Sequence, residues 1–368
     1  MNTNTRNTTI IRIMLSIGIF VWFGSITNAQ ENVVSKKSKV SFTGRLHAQS
    51  QTSNVKAAEN MNNTFFIRRA RLTAKFKNLS GTMAAKVQYD LGEGGAKLKD
   101  GYVELKLNPK LNIKLGQYKK PFSLWELTSS TKTMVIERGN KLLGSSWKST
   151  NSIIIKDGLY AGRDIGLMLH GKADKWKYSV GIFNGNGYNK KSDNDNGKLI
   201  GGRAVFNATK KLAVGAAFSN RTISQYSNFV DTTKNGTSAG FSAFGVDMDY
   251  GIRHKVSKNG LWVQAEFLTG ANPHYSDEAK FRGVTLLGSY NLRMAEGGVI
   301  YSIRPALRFD YSQRDTQDDN TGSILLTPGV DIFFDQYNRL QINVDIVKPQ
   351  MEGADTEIGL RLQMQMHI

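Results

Sequence analysis

Hydrophobic and polar residues alternate with a period of two along most of this chain. The alternation is clearest in residues 357–368, where the even positions are apolar and the odd positions are polar or glycine. Successive side chains of a β-strand point to opposite faces, so this segment predicts a strand with one apolar and one polar face. At about 3.3 Å per residue, it is long enough to cross a bilayer at a tilt.

The same alternation predicts sixteen strands. They are centred near residues 38–49, 65–77, 82–90, 98–107, 111–118, 163–171, 175–183, 201–208, 211–219, 241–250, 261–269, 283–292, 300–311, 323–334, 339–347 and 357–368. The connections after even-numbered strands are mostly short, and those after odd-numbered strands are mostly long and polar. Short periplasmic turns and long outer loops are typical of outer-membrane barrels. We therefore predict an all-β fold, a membrane-spanning antiparallel up-and-down β-barrel of about 16 strands with both ends in the periplasm.

One connection exceeds all the others, residues 119–162. A structureless loop of this length is uncommon in a compact domain unless it has a function. Its apolar residues would find no partner in water: Phe122, Leu124, Trp125, Met134, Val135, Ile136, Leu142, Leu143 and Trp147. The lumen of a barrel of this size is wide enough to receive a folded loop. We therefore expect residues 119–162 to fold into the lumen and to narrow the pore.

The first 29 residues have the layout of a secretory signal peptide. Arg6 and Arg12 precede or edge an apolar run over residues 10–26, and Ala29 stands at the expected cleavage edge. An uncleaved anchor helix is the alternative, but the run is short and Arg12 interrupts its start. We expect a signal peptide at residues 1–29, a single barrel domain at residues 30–368, and a location in the bacterial outer membrane.

Composition limits the available chemistry. The chain has no Cys, which excludes disulfides and thiolate chemistry, and its 36 Gly and 6 Pro suit many strands and turns. The formal net charge is +19, and since residues 1–29 contain two Arg and no acid, the remainder carries +17. A positive field favours anionic partners without identifying them.

Most of the cations fall on the polar faces of the predicted strands. Rings of Arg and Lys in a pore favour anions, and the forked guanidinium suits phosphate and carboxylate oxygens. Alternatively, these cations pair with lumen acids and only stiffen the wall; the sequence leaves both interpretations open. Among residues 68–71, we expect Arg69 and Arg71 to point into the lumen and Arg68 to point outward. The candidate anion-binding, pore-lining residues are Arg45, Arg69, Arg71, Lys75, Lys86, Lys114, Lys119, Lys120, Arg203, Arg304, Arg308 and Arg361.

Other functional classes find less support. Cations spread over many strands do not form a nucleic-acid recognition element. The five His lack metal-ligand spacing and no cofactor motif is complete, so we expect neither metal nor cofactor. A barrel lipase would need a Ser and a His converging on the lipid-facing wall, and we identify no such pair. The remaining hypotheses are a passive channel with anion preference and a structural or adhesive barrel whose lumen is plugged by residues 119–162.

Short motifs follow one another from about residue 65 to residue 190. They are FIRRARL at residues 66–72, DGYV at 100–103, GQYKKPF at 116–122, GRDIG at 162–166 and GIFNGNG at 181–187, with Glu126, Ser129, Glu137 and Arg138 inside the long connection. This ordered series resembles the phosphate-selective porin O and P family. One departure is the terminal Ile368, where barrel proteins usually carry an aromatic residue.

The resemblance implies a sixteen-stranded outer-membrane barrel, often trimeric, with a constricting loop inside and phosphate-type anions as solutes. It also implies loop-anchoring roles for Pro121, Phe122, Glu126, Glu137, Arg138, Arg163 and Asp164. We expect the loop's charged residues Glu126, Glu137 and Arg138 to form ion pairs with cationic wall residues. The expected partners are small anionic solutes, outer-membrane lipids and further copies in a homotrimer; the sequence does not name the solute.

Overall fold

The computed structural model describes residues 33–34, 38–55, 63–145, 147, 149–190, 193, 196–226 and 236–368. The predicted signal peptide, residues 1–29, lies outside them. The barrel strands are β1 (Ser38–Ser53), β2 (Asn63–Asn78), β3 (Met83–Asp90), β4 (Lys97–Asn108), β5 (Leu111–Lys119), β6 (Arg163–Ala173), β7 (Trp176–Phe183), β8 (Leu199–Asn207), β9 (Leu212–Tyr226), β10 (Thr237–Gly251), β11 (Gly260–Ala271), β12 (Lys280–Arg293), β13 (Ser302–Gln313), β14 (Gly322–Phe333), β15 (Arg339–Pro349) and β16 (Glu357–His367).

Each strand pairs antiparallel with its neighbours in sequence, and β16 pairs with β1 to close the sheet. At the seam, Gly359 lies opposite Ser53 and His367 lies opposite Arg45. A two-residue strand, Val33–Val34, also pairs with the start of β1. The predicted closed antiparallel barrel of sixteen strands is confirmed. In the described residues, no helix is both long and apolar enough to span a membrane.

The period of two sorts the side chains between the outside and the inside of the barrel. In β16 the apolar residues at even positions are exposed, whereas Arg361, Gln363 and Gln365 are buried. In β13 the same alternation buries Arg304 and Arg308. An apolar outer face with a polar interior is what a barrel needs in lipid, where the outer face contacts acyl chains.

The connections alternate in length as predicted. Two-residue turns occur at residues 109–110 and 174–175, whereas residues 120–162 form the longest connection. Two turns on the short side are longer than expected, at residues 252–259 and 294–301. Because short turns face the periplasm in such barrels, the long connections lie at the outer end.

Residues 120–162, called the inward loop below, lie against the inner face of β9 to β15. The loop contains two short helices, α1 (Leu124–Leu127) and α2 (Asn151–Asp157). Its apolar residues fill three clusters with the wall: Phe122, Ile154, Ile155 and Tyr160 with Ala217, Ala243, Leu268 and Phe281; Trp125, Met134 and Val135 with Trp262, Leu287 and Ala306; and Leu142 with Leu325 and Val347. Burial of this apolar surface stabilises the loop inside the barrel, by about 25 cal/mol per Å².

Candidate functional site

A buried ion pair joins the first residue of the inward loop to the strand that follows the loop. Lys120 Nζ lies 3.3 Å from Asp164 Oδ2, and both side chains are buried. The same Asp164 oxygen accepts hydrogen bonds from the backbone N–H of Gly185 at 3.0 Å and of Gly187 at 3.4 Å. Both glycines have positive φ, a conformation that other residues rarely adopt. Three of the sequence motifs therefore meet at one carboxylate.

The wall residue Glu266 holds the start of α1. Its carboxylate accepts hydrogen bonds from Ser123 Oγ at 2.8 Å and from the backbone N–H of Leu124. Ser123 caps the helix by accepting from the backbone N–H of Glu126 at 3.2 Å. Sequence reasoning missed Glu266 as a loop anchor, since it was one polar-face acid among several and its partner is distant in sequence.

The side chains of Glu126 and Arg138 have their partners within the inward loop. Glu126 pairs with Lys156 at 2.7 Å. Although burial opposes the shift, the positive charges of Lys156 and Arg138 lower the pKa of Glu126 to about 2. Arg138 donates hydrogen bonds to the backbone oxygens of Trp125, at 2.9 Å, and Thr128. The side-chain partners of both residues thus lie in the loop and not on the wall, where we expected them.

Glu137 is the loop acid that reaches a wall cation. Its Oε2 lies 3.0 Å from Nη2 of Arg68 on β2, and a second bond joins Arg68 Nε to Glu137 Oε1. Arg68 also pairs with Glu93 at 2.7 Å. Burial opposes the shift, but the guanidinium of Arg68 lowers the pKa of Glu137 well below its ordinary range. The expectation that Arg68 points outward is therefore wrong.

A β-bulge explains the orientation of Arg68. On β1, His47 pairs with Arg69, and the next residue, Ala48, pairs with Ile67, so that Arg68 has no cross-strand partner. The extra residue shifts the alternation by one. Both Arg68 and Arg69 consequently face the interior. A strict period of two cannot predict this, because the bulge has no glycine or other sequence mark.

Three of the predicted pore-lining arginines are buried inside the barrel. Arg304, Arg308 and Arg361 are at most 2% exposed. Arg304 pairs with Asp331, while Arg308 and Arg361 share Asp345. In this structure they do not border open space: all three are buried beside a carboxylate, and Arg304 and Arg308 also contact backbone oxygens of the loop.

Arg339, which sequence reasoning left out of the site, belongs to the same buried group. It pairs with Asp331 at 2.9 Å and donates a hydrogen bond to the backbone oxygen of Thr133 in the loop, also at 2.9 Å. Arg308 likewise donates to the backbone oxygen of Glu137 at 2.7 Å. These arginines join the wall to the loop.

The cations on β1 to β3 face one another across neighbouring strands. Arg45 lies directly opposite Arg71, and Lys75 lies directly opposite Lys86. Residues opposed in this way have Cβ atoms about 4.5–5.5 Å apart, and like charges at that distance destabilise a sheet. We call Arg45, Arg69, Arg71, Lys75 and Lys86 the cationic wall.

Three members of the cationic wall, Arg45, Arg69 and Lys75, form no ion pair among the described residues, whereas Arg71 and Lys86 do. Arg45 Nη1 donates to Ser130 Oγ of the inward loop at 3.3 Å, and Arg69 Nη1 lies 3.5 Å from His47 Nδ1. Arg69 is 5% exposed, and its Nε has no hydrogen-bond partner in the described structure. Burying a guanidinium that forms no ion pair is costly.

The other predicted cations of this region have partners. The pairs are Arg71 with Asp90 (2.7 Å), Arg163 with Asp100 (2.7 Å), Lys86 with Asp100, Lys114 with Glu104 (3.3 Å), and Arg203 with Asp247. Lys119 donates a hydrogen bond to the backbone oxygen of Glu126, and Pro121 and Phe122 are buried where the loop leaves β5. Within the described residues, no group of His, Asp and Glu is arranged to hold a metal ion.

A family model for phosphate-selective porin O and P matches residues 40–281. The chain belongs to this family. The family and the closed barrel identify this porin as a channel of the bacterial outer membrane. None of the curated proteins compared with it is a match.

Several solved outer-membrane porins share the fold. An anion-selective porin from Comamonas acidovorans has a TM-score of 0.60 and 13% identity, over 90% of this chain and 100% of that chain. The outer membrane channel DcaP of Acinetobacter baumannii has a TM-score of 0.59 and 12% identity, over 92% of this chain and 100% of that chain. OmpT of Vibrio cholerae, in a trimer form, has a TM-score of 0.57 and 14% identity, over 89% of this chain and 99% of that chain. At these identities the likeness concerns the fold alone.

Proposed function

We propose that this porin passes small phosphate-like anions by passive diffusion between the inward loop and the cationic wall. The observation that carries the proposal is the opposition of like charges, Arg45 to Arg71 and Lys75 to Lys86. Such pairs cost sheet stability, and native proteins keep costly local arrangements mainly at functional sites. Arg71 and Lys86 have carboxylate partners, so an anion passing between these side chains supplies negative charge chiefly to Arg45, Arg69 and Lys75.

The chemistry of the cationic wall suits an oxyanion. From the outer end inward, the order along β2 is Arg69, Arg71 and then Lys75. Guanidinium groups can donate two parallel hydrogen bonds to phosphate oxygens, and lysines add point charges. Spacing several cations along the path lets an anion leave one for the next, which conduction requires. No step breaks a covalent bond, in keeping with a channel rather than an enzyme.

We also propose that the inward loop constricts the path. The hydrogen bond from Arg45 to Ser130 joins the cationic wall to the loop at 3.3 Å. The loop is held from the other side by its three apolar clusters with β9 to β15. The passage therefore lies on the β1 to β6 side, where Arg45 and Arg68 both contact the loop.

Planar-bilayer conductance of the refolded protein tests the proposal. Under a salt gradient, first with chloride and then with phosphate, we expect an anion-selective reversal potential and a chloride current that phosphate blocks. The double variant Arg69→Glu, Arg71→Glu should lower anion preference. The control Lys210→Glu, Lys258→Glu makes the same charge change on exposed turns and should leave the preference nearly unchanged. Unchanged reversal potentials in the first variant would refute the assignment of the cationic wall.

A second candidate is a structural or adhesive barrel whose lumen is plugged. The close packing of the inward loop and the complete burial of arginines beneath it favour this candidate. It predicts a folded, heat-resistant barrel that gives no ion conductance in the same bilayer experiment.

Two further expectations accompany the proposal. We propose that residues 1–29 are removed on export, which the N-terminal sequence of the protein extracted from outer membranes would test. We also propose a homotrimer, since a related fold is described in a trimer form. Analytical ultracentrifugation in density-matched detergent distinguishes a trimer from a monomer.

A further inference from the structure

Three cations interrupt the apolar outer face of the barrel near its outer end. Lys280 and Arg282 of β12 and Lys348 of β15 occupy outward positions and are exposed, while their strand neighbours Phe281 and Val347 are buried. In the other described strands, Lys and Arg lie on the inward alternation or have side chains that turn inward. Chance placement would scatter such charges around the barrel, whereas these three lie within four adjacent strands.

Their depth matches the headgroup level of the outer leaflet. Lys280 is the first residue of β12, and Lys348 is the last residue but one of β15, both at the long-loop end. Directly below Arg282, the outward positions of β12 are Val284 and Leu286. Charges on the outer face of a barrel are costly at the bilayer midplane but tolerated near its interfaces. Lys280 and Arg282 thus border the apolar band, and Lys348 lies in register with its first residue, Val284.

None of the three forms an ion pair with the described residues. Arg282 donates from Nε to Gln313 Oε1 at 2.9 Å, and Tyr311 Oη donates to the same oxygen at 3.2 Å. This fixes the guanidinium while its terminal nitrogens stay free of described partners. Lys348 lies in register with Ile324, which in turn lies opposite Tyr311. Arg282 and Lys348 are three strands apart, about 14 Å across the sheet, and are offset by two residues along it.

We propose that Lys280, Arg282 and Lys348, the outward cation patch, bind the phosphorylated headgroup of a glycolipid in the outer leaflet. The free guanidinium nitrogens of Arg282 suit a phosphate group, and the hydroxyl of Tyr311 suits a sugar hydroxyl. The acyl chains then lie on the apolar band that begins at Val284. Free phosphate would gain the charge contacts but none of the acyl contacts, so the patch selects the lipid.

Lipid binding by the folded protein in detergent tests the proposal, with native mass spectrometry as the readout. The probes are bisphosphorylated lipid A and the same lipid after removal of its phosphates. We expect the wild type to retain the phosphorylated lipid and to bind the dephosphorylated one far more weakly. Each Lys or Arg near a charged lipid surface contributes about 1 kcal/mol, so Lys280→Gln, Arg282→Gln, Lys348→Gln together should weaken binding roughly a hundredfold.

A matched control removes three exposed lysines from periplasmic turns, by Lys110→Gln, Lys210→Gln and Lys258→Gln. It has the same net charge as the patch variant and should bind the lipid like the wild type. Both variants should keep the heat-dependent gel mobility of a folded barrel.

Four results would overturn the proposal. They are equal binding of the dephosphorylated lipid, equal loss in the control, full retention by the patch variant, and displacement of the lipid by inorganic phosphate at equal concentration. If the patch variant instead loses only its oligomeric state and keeps the lipid, the patch is a contact between copies of the chain and the proposal also fails.

Discussion

The guanidinium of Arg68 and the carboxylate of Glu137 form a bidentate, largely buried ion pair that joins strand β2 to the inward loop. Arg68 Nη2 lies 3.0 Å from Glu137 Oε2, and Nε donates to Oε1. On the opposite side of the interior, apolar clusters hold the same loop against β9 to β15. The loop is therefore attached by charge on one side and by apolar packing on the other. We expect it to keep its position while ions pass.

Glu137→Gln should weaken this attachment. The substitution leaves the guanidinium of Arg68 partly buried beside an uncharged amide, and removing one partner of a buried pair costs about 3–5 kcal/mol. We expect a lower free energy of unfolding in urea and a noisier single-channel current. Glu93→Gln is the matched control, because it removes the exposed partner of the same Arg68, and an exposed pair contributes about 0–1 kcal/mol. Equal effects of the two variants would contradict the proposed anchor.

Acidification should release the loop in a defined pH window. The pKa of Glu126 is lowered from 4.5 to about 2, so the folded protein binds this proton less readily than the unfolded chain does. The stabilisation is fully present above about pH 4.5 and is lost as the pH falls toward 2. Unfolding free energy measured across this range should fall with pH in the wild type and fall less in Glu126→Gln. The exposed Glu278→Gln serves as the control, and a slope unchanged by Glu126→Gln would refute the prediction.

Deletion of residues 125–158 should widen the pore. The segment contributes Trp125, Met134 and both Ile154 and Ile155 to the buried clusters, so its removal empties the β9 to β15 side of the interior. We expect a higher single-channel conductance with anion preference retained, because the cationic wall is untouched. Conductance equal to that of the wild type would mean that the loop does not limit the current.

Asp164→Asn should loosen the hinge of the loop. Lys120 is fully buried against this carboxylate, and an amide cannot balance its charge. We expect a loss of about 3–5 kcal/mol in the free energy of unfolding. The double variant Lys120→Met, Asp164→Asn removes both charges and should recover a large part of the loss. If the double variant is as unstable as the single one, the ion pair is not the cause.

Much of the fold follows from local rules that sequence reasoning can apply. Strand existence follows from a period of two, and the alternation of short and long connections gives the topology. The apolar residues of the inward loop, such as Trp125 and Met134, predict that it must fold against something. These features depend only on neighbours along the chain.

The partners of the charged residues could not be predicted in this way. Arg308 and Arg69 both lie on polar faces, yet Arg308 pairs with Asp345 and contacts the loop, whereas Arg69 forms no ion pair among the described residues and contacts His47. Which cation is neutralised depends on where residues distant in sequence arrive in space. The sequence therefore predicts the sign of the interior charge, but not which cations are free to meet an anion.

The bulge at Arg68 has a consequence for the whole of β2. Below it, the odd residues Arg69, Arg71 and Thr73 face inward, whereas above it Phe65 and Ile67 lie outward. The side of the barrel that the odd-numbered residues face therefore changes at Arg68. If Arg68 were instead paired in regular register, every position above it would change sides, and Phe65 and Ile67 would turn into the polar interior. The one extra residue therefore keeps the apolar side chains of both halves of β2 on the lipid-facing side of the barrel.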